Sequence, residues 1–165
     1  MVPTQGMTMT LEGVPGEFIR NKNIMGDPTK SKKGYASRSF TLHLTPEYAK
    51  AFEDKGFPLK MPENAREDTK PYIAINLFPE PKYNHPASEV VSDNGSIRKR
   101  LYPSQWIEFD ERPIEYVDLE LETYKNTQGN ISVKCVALYF HTKISLIRKK
   151  YPDAYDDEYE PAPFQ

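Results

Sequence analysis

Cysteine is nearly absent from this chain of 165 residues, which contains only Cys135. A single cysteine cannot form an intramolecular disulfide, and this favours a reducing compartment such as the cytoplasm. Cys135 lies within the most apolar stretch of the sequence, where burial would raise the pKa of its thiol. The composition therefore supports neither a disulfide scaffold nor a catalytic thiol.

Long hydrophobic runs are absent as well. No apolar stretch approaches the roughly 18 residues of a membrane-spanning helix, and the first ten residues, MVPTQGMTMT, lack the apolar core of a signal peptide. The apolar content of 38% is low for a globular protein, but 165 residues are enough for one domain with one core. We therefore expect a cytoplasmic protein that does not associate with membranes.

The common catalytic motifs are missing too. The sequence has no glycine-rich phosphate loop, no Cys/His metal spacing and no G-x-S-x-G, and its three histidines are scattered. Asp118, Glu120 and Glu122 would share one face of a strand, which would suit a two-metal nuclease but is more typical of a solvated face. We predict no enzyme activity, no metal and no cofactor.

The clearest pattern that is present is an alternation of apolar and polar residues within Ile114–Ser145, which predicts a β-hairpin. Its first strand would have one buried and one exposed face, followed by a turn over residues 125–130. Its second strand, Ile131–Phe140, is apolar on both faces after Lys134, which predicts a central strand. The buried face of the first strand would carry Val117, Leu119, Leu121 and Thr123.

Shorter elements precede this hairpin. Pro15 and Gly16 interrupt the first strand, and Thr45 followed by Pro46 is a typical helix start. The predicted elements, in order, are a strand over 11–19, a loop over 20–38, a strand over 39–44, a helix over 47–56, a strand over 71–78 and a loop over 79–95. This order predicts a mainly β domain over residues 1–150, an OB-like Greek-key barrel of five to six strands with one short helix. A β-sandwich fits nearly as well.

Two clusters combine positive charge with aromatic rings. The first is the loop over residues 20–38, and its members are Arg20, Lys22, Lys30, Lys32, Lys33, Tyr35 and Arg38. The second comprises Arg98, Lys99, Arg100, Tyr102 and Trp106, and Tyr72 is a further candidate ring. Such clusters are typical of nucleic-acid binding, because cations neutralise phosphates and rings stack on unpaired bases. The alternatives are a solvated flexible loop for the first cluster and a core position for Trp106.

Acidic residues concentrate at the C-terminus. Residues 151–165 contain no Lys or Arg and five acids, namely Asp153, Asp156, Asp157, Glu158 and Glu160. Taking these five from the 24 acids of the chain leaves 19 against 22 bases, so residues 1–150 carry about +3. Because the segment has few apolar residues, it is predicted to be a disordered acidic tail.

A basic, aromatic-rich β body followed by the tail DAYDDEYEPAPF resembles the bacteriophage single-stranded DNA-binding proteins of OB-fold type. The resemblance implies that residues 1–150 bind single-stranded DNA in the host cytoplasm during replication or recombination, as a monomer or small homo-oligomer. It also implies that the tail acids and Phe164 recruit replication or recombination proteins and compete with DNA for the basic groove. One departure is Gln165, because tails of this family usually end at the phenylalanine.

Two other classes of function stay open at this point. The acidic tail together with the face of Asp118, Glu120 and Glu122 would suit a phage protein-binding module that inhibits a host nucleic-acid enzyme. The 15 prolines and the long loops would suit a β-rich virion protein.

Overall fold

The computed structural model of the chain describes residues 2–30, 37–62, 70–95 and 97–142. Within them the chain is mainly β, as predicted, with eight strands in one sheet and two short helices. In chain order the elements are β1 (Thr8–Pro15), β2 (Ile19–Asn23), β3 (Ser39–His43), α1 (Pro46–Asp54), β4 (Tyr72–Asn76), β5 (Glu89–Asp93), β6 (Arg98–Arg100), α2 (Ile107–Glu111), β7 (Ile114–Lys125) and β8 (Ile131–Thr142). Neither helix is long and apolar enough to cross a membrane, a finding limited to these residues.

The β7–β8 hairpin is the centre of the sheet, and β8 is the central strand that the sequence predicts. Strand β7 pairs with one edge of β8 along nearly its whole length. The opposite edge is divided between two parallel partners, because β4 pairs at Val133 and Lys134 while β5 pairs from Ala137 to His141. The sheet therefore forks at β8 into a branch through β4 and a branch through β5.

A bulge explains why the sequence of β8 has apolar residues at both odd and even positions. Leu121 is opposite Cys135 and Glu120 is opposite Ala137, so Val136 is an extra residue in β8. Before the bulge the odd-numbered Val133 and Cys135 are buried, and after it the even-numbered Leu138, Phe140 and Thr142 are buried. Apart from Lys134, which is buried as well, the buried residues of β8 thus share one face, and the phase of the alternation changes at Val136.

The main path of the sheet runs β1-β7-β8-β4-β3-β2, so its two end strands are consecutive in the chain. Only the short 3₁₀ turn Gly16–Phe18 separates β1 from β2, at the interruption that Pro15 and Gly16 predict. Gly16 lies against β7 so closely that a Cβ at this position would be 1.9 Å from Ile114 O. Within the described residues no ladder joins β1 to β2, so hydrogen bonding does not close the sheet.

Helix α1 is confirmed, although it begins one residue earlier and ends two residues earlier than the predicted 47–56. The Thr45 side chain accepts a hydrogen bond from Tyr48 N at 3.2 Å, and Pro46 occupies the first turn. Gly56, with φ of 81°, ends the helix in the left-handed conformation that glycine tolerates best. The apolar face of α1 buries Phe52 against the core.

Helix α2 was not predicted, and it fills the space between β2 and β8. The Phe109 ring lies 5.3 Å from the ring of Phe40 and 5.3 Å from the ring of Phe140. Asp110 accepts the backbone N–H groups of Ile24 and Met25, at 2.9 and 3.0 Å. This helix therefore holds the residues that follow β2 against the inner face of the sheet.

Two predicted loops are also corrected. The predicted loop over 20–38 begins inside β2, which continues to Asn23, and the predicted loop over 79–95 contains β5. Strand β5 is short and carries Ser92 and Asp93 among its five residues, so it lacks a clear alternation. Its pairing with β8 and β6 stabilises it instead.

Candidate functional site

The candidate site is a cavity of about 500 Å³ across the outer side of β3, β4 and the start of β8. We call it the β3–β4 groove. The end of the basic loop at Ser37 bounds one side, and the β7–β8 turn bounds the other. Its lining is Ser37, Ser39, Pro58, Lys60, Ala74, Asn76, Asn126, Gln128, Asn130, Ile131, Ser132 and Val133. None of these described residues is acidic.

The alternation within β3 and β4 explains why this face is polar. The core takes Phe40, Leu42, Ile73 and Ile75, all completely buried. The intervening residues point the other way, because successive side chains of a strand project to opposite faces. In register on the outer face, Ser39 is opposite Asn76, Thr41 opposite Ala74 and His43 opposite Tyr72.

At one end of this face the structure brings together two of the predicted nucleic-acid-binding residues. The Tyr72 ring stacks on His43, with centroids 5.7 Å apart and planes at 22°. Arg20 is exposed on β2 opposite Thr41. Burial, and then the charge of Arg20, lowers the pKa of His43, so this histidine is neutral at physiological pH.

At the other end the β7–β8 turn is held by its own side chains. Asn126 Oδ1 accepts the backbone N–H groups of Gln128 and Asn130 at 2.9 and 3.0 Å. Asn126 Nδ2 donates to Ser132 Oγ at 2.9 Å. The turn therefore presents amide groups to the groove in a fixed arrangement.

The other residues of the first basic cluster lie in different surroundings. Lys22 Nζ donates to Arg112 O at 2.8 Å and lies 5.4 Å from the centre of the Phe109 ring, and burial lowers the pKa of this lysine. Arg38 lies over the Trp106 ring at 5.6 Å. These two cations hold the loop against α2, whereas Lys30 is exposed. Lys32, Lys33 and Tyr35 lie outside the described residues, as do the tail acids and Phe164.

The second basic cluster is not part of the groove. Arg98 pairs with Asp93 at 3.4 Å, Lys99 with Glu108 at 3.9 Å, and Arg100 with Glu89 at 3.3 Å. Beside Glu89 lies a separate acidic groove across β1, β7, β8 and β5, whose charged lining residues are Glu12, Glu89, Asp118 and Glu120. Within the described residues, the structure therefore places these three cations among acids on another part of the sheet.

Two predicted rings of that cluster also lie elsewhere. Trp106 is completely buried, which corrects its prediction as a stacking residue and supports its alternative as a core residue. An indole without exposed surface cannot stack on a base. Tyr102 is 73% exposed, but it lines a different pocket of about 350 Å³ with Pro79, Ala87 and Arg100.

Several polar residues of the site were not predicted. Lys60 reaches the groove because its backbone pairs with Tyr72, with N–O distances of 2.8 and 2.9 Å. His43 was interpreted as a structural histidine, and the amides of the β7–β8 turn as turn formers only. The alternation in SFTLHL was the available signal, because it assigns Ser39, Thr41 and His43 to one outward face.

A hydrogen-bonded network of ionisable side chains joins β5, β6 and β8. The hydroxyl of Tyr139 donates to Asp93 Oδ2, and Gly95 N donates to Asp93 Oδ1 at 2.7 Å. The Arg98 guanidinium lies 5.6 Å from the centre of the Tyr139 ring. Burial, and then the hydrogen bond to Asp93, raises the pKa of Tyr139, so it remains a donor at physiological pH.

Comparisons with protein-family models, with curated proteins and with solved structures find no significant match. No group of three or more His, Cys, Asp or Glu side chains within the described ranges is arranged to hold a metal ion. Function is therefore inferred from the geometry of the grooves.

Proposed function

We propose that this chain is a single-stranded DNA-binding protein with an OB-type body, and that the strand lies in the β3–β4 groove. The observation that carries this proposal is the order and direction of the strands around that groove.

An OB-type barrel is a partly open, five-stranded Greek key. Its long first strand bends and pairs with both the second and the fourth strand, and its third and fifth strands are parallel. Here β1 and β2 would be the two halves of the first strand, followed by β3, β4, β7 and β8. The parallel contact between β4 and β8 and the antiparallel contacts elsewhere along the path agree with this assignment. Strands β5 and β6 would be an insertion.

The position of the groove supports the function. OB folds bind oligonucleotides on the face of their second and third strands, between the loop that follows the first strand and the loop between the fourth and fifth. The equivalent parts of this chain are β3 and β4, residues 24–38 and residues 126–130. The β3–β4 groove is bordered by both of these loops.

The chemistry of the groove suits an unpaired strand. Lys60 lines the groove, and Arg20 is exposed on the neighbouring strand β2 opposite Thr41, so both can supply positive charge to a strand that lies across this face. The amides and hydroxyls of the lining can pair with the edges of bases. Tyr72 supplies a ring at one end of the face. Stacking on a protein ring favours single strands, because the bases of a duplex already stack on one another.

The direct test is fluorescence anisotropy of labelled oligo(dT) and of a labelled duplex, each titrated at about 50 and 200 mM salt. The intrinsic fluorescence of Trp106 is a poor probe because its ring is buried. We expect tight binding of the single strand, weak binding of the duplex and a steep loss of affinity with salt. Absence of binding to the single strand contradicts the proposal.

Two arginine variants locate the binding surface. Arg20→Ala should lower the slope of log K against log salt by about 0.7, the contribution of one phosphate contact on a single strand. Arg100→Ala is the matched control, because this exposed arginine faces Glu89 and lies outside the groove. We expect its slope to equal that of the unaltered protein. If the salt slope falls by the same amount in both variants, the strand binds outside the β3–β4 groove.

The acidic groove favours a second candidate, a protein-binding module that engages a basic partner. Glu12, Glu89, Asp118 and Glu120 line this groove together with the less polar Val91 and Ala137. A protein that binds neither DNA strand but binds a lysine-rich peptide through this groove would support this candidate over the first.

A further inference from the structure

A second pocket lies on the other side of the β7–β8 turn from the β3–β4 groove. It has a volume of about 430 Å³ and shares Asn126 with the groove. We call it the turn pocket. Its most informative lining residues are Gln5, Tyr83, Asn84, His85, Tyr124 and Lys125. None of the described residues that line it is acidic.

Tyr83 occupies an unfavourable position on the rim of this pocket. The backbones of Lys82 and His85 pair through two hydrogen bonds of 3.0 and 2.9 Å, which leaves Tyr83 and Asn84 as a two-residue hairpin loop. Tyr83 has φ of 53°, in the left-handed region where glycine is favoured at such loops. Tyr83 is 79% exposed, so core packing does not offset the strain, and its ring contacts Lys82 Nζ at 5.8 Å from the ring centre. Strain at a position that the core does not hold is a reason to look for a function.

His85 forms a rigid wall of the same pocket. Its ring is parallel to Phe78, with centroids 5.0 Å apart and planes at 5°, and the edge contact with Tyr124 is 4.8 Å between centroids. Lys134 Nζ lies 2.9 Å from His85 Nδ1. Because an ammonium group can only donate, Nδ1 is the acceptor and the ring proton is on Nε2.

The charge state of His85 follows from its surroundings. Burial, and then the charge of Lys134, lowers the pKa of His85, while Glu122 acts in the opposite direction. Glu122 Oε2 lies 3.8 Å from Lys134 Nζ, so it holds the lysine in place. The pocket is therefore lined by a neutral imidazole whose proton is on Nε2, together with two tyrosines and several amides.

We propose that the turn pocket binds one unpaired nucleobase of a single strand, which passes around the β7–β8 turn from the β3–β4 groove. Tyr83 would stack on the base, the amides and His85 would pair with its edge, and Lys125 would lie near its phosphate. A flat, uncharged heteroaromatic ring with donors and acceptors uses all of these groups at once. The volume falls within the range of small-molecule sites. This inference rests on the proposed function.

The test is Tyr83→Gly, assayed for oligo(dT) affinity and for thermal unfolding. Loss of one stacked base should weaken binding by about 5- to 150-fold. The unfolding midpoint should rise, because glycine adopts the positive φ without strain. If Tyr83 had only a structural role, its replacement by glycine would not weaken binding and raise stability at the same time. Tyr83→Asn, which also tolerates this φ, should show the same loss of affinity.

Tyr102→Ala is the matched control, because this tyrosine is 73% exposed outside the turn pocket. Its affinity for oligo(dT) should stay within about twofold of the unaltered protein. Unchanged affinity in both Tyr83 variants overturns the inference about the turn pocket. It does not contradict the proposal that the strand binds in the β3–β4 groove.

If the unaltered protein does not bind oligo(dT), the proposed function is wrong. Titration with a single nucleotide then tests, without the strand, whether the turn pocket binds a base. Thymidine monophosphate should shift the NMR signals of Tyr83, His85 and Tyr124 in the unaltered protein, and the shifts of His85 and Tyr124 should be lost in Tyr83→Gly. Absence of shifts in the unaltered protein overturns the inference.

Discussion

Asp93 is an aspartate whose folded environment favours its charged form. Its burial alone would raise its pKa, but hydrogen bonds from Tyr139, Gly95 and Arg98 and the charge of His141 together outweigh that effect, and its pKa lies below the usual 3.8. A carboxylate with a lowered folded-state pKa stabilises the fold above its unfolded-state pKa. This contribution is lost as pH falls through the folded-state value.

Asp93→Asn should therefore destabilise the protein most at neutral pH. We expect the difference in free energy of unfolding between the unaltered protein and Asp93→Asn to shrink below about pH 4, the usual range of an aspartate. Urea unfolding between pH 7 and pH 3 measures this difference. Asp54→Asn is the control, because the ion pair of Asp54 with Lys50 is exposed. A difference that is constant over this range contradicts the prediction.

At the scale of elements, the junction between β1 and β2 depends on close contact with β7. Gly16 turns the chain at this junction, and its Cα faces the backbone of Ile114. A strand that bends here can pair with β7 through its first half and with β3 through its second. The bend is therefore what places β2, and with it Arg20, beside the β3–β4 groove.

Gly16→Ala should destabilise the protein by about 3 kcal/mol, because the added Cβ meets backbone that cannot move aside alone. Gly13→Ala is the matched control, since it has nothing within 4 Å of its Cβ position and only a positive φ of 65°. We expect that variant to lose about 1 kcal/mol. Chemical denaturation of both proteins checks the prediction, and equal losses would mean that contact with β7 is unimportant.

At the scale of the whole molecule, the forked sheet carries surfaces of different chemistry. The β3–β4 groove and the turn pocket have no acid in their described linings, whereas the groove beside β5 has four. Residues 151–165 contain five of the 24 acids of the chain and no Lys or Arg. An acidic segment on the same chain would compete with DNA for cationic groups.

Removal of residues 151–165 should therefore tighten binding of oligo(dT). We expect the gain to be largest at low salt, where electrostatic competition is least screened. Anisotropy titrations of the full chain and of the shortened chain measure the effect. A full-length variant in which these five acids are replaced by Asn and Gln separates the charge of the segment from its length. Unchanged or weaker binding on removal contradicts the competition.

Much of the fold follows from local patterns in the sequence. The alternation in β7 determines its buried face, because side chains of a strand alternate whatever its partners are. Thr45, Pro46 and Gly56 determine the ends of α1, because caps act within a few residues. The hairpin turn, the break at Gly16 and the outward polar face of β3 likewise follow from residues that are close together in the sequence.

Contacts between distant residues decide the rest. Ile24 and Asp110 are 86 positions apart, and their hydrogen bond holds α2 inside the sheet with Trp106 buried before it. The phase change at Val136, the fork at β8 and the pairing of Arg98 with Asp93 also depend on which strands meet. Charge and aromaticity are visible in a sequence, but whether a cation faces an acid or a ring faces the core is settled only when the sheet assembles.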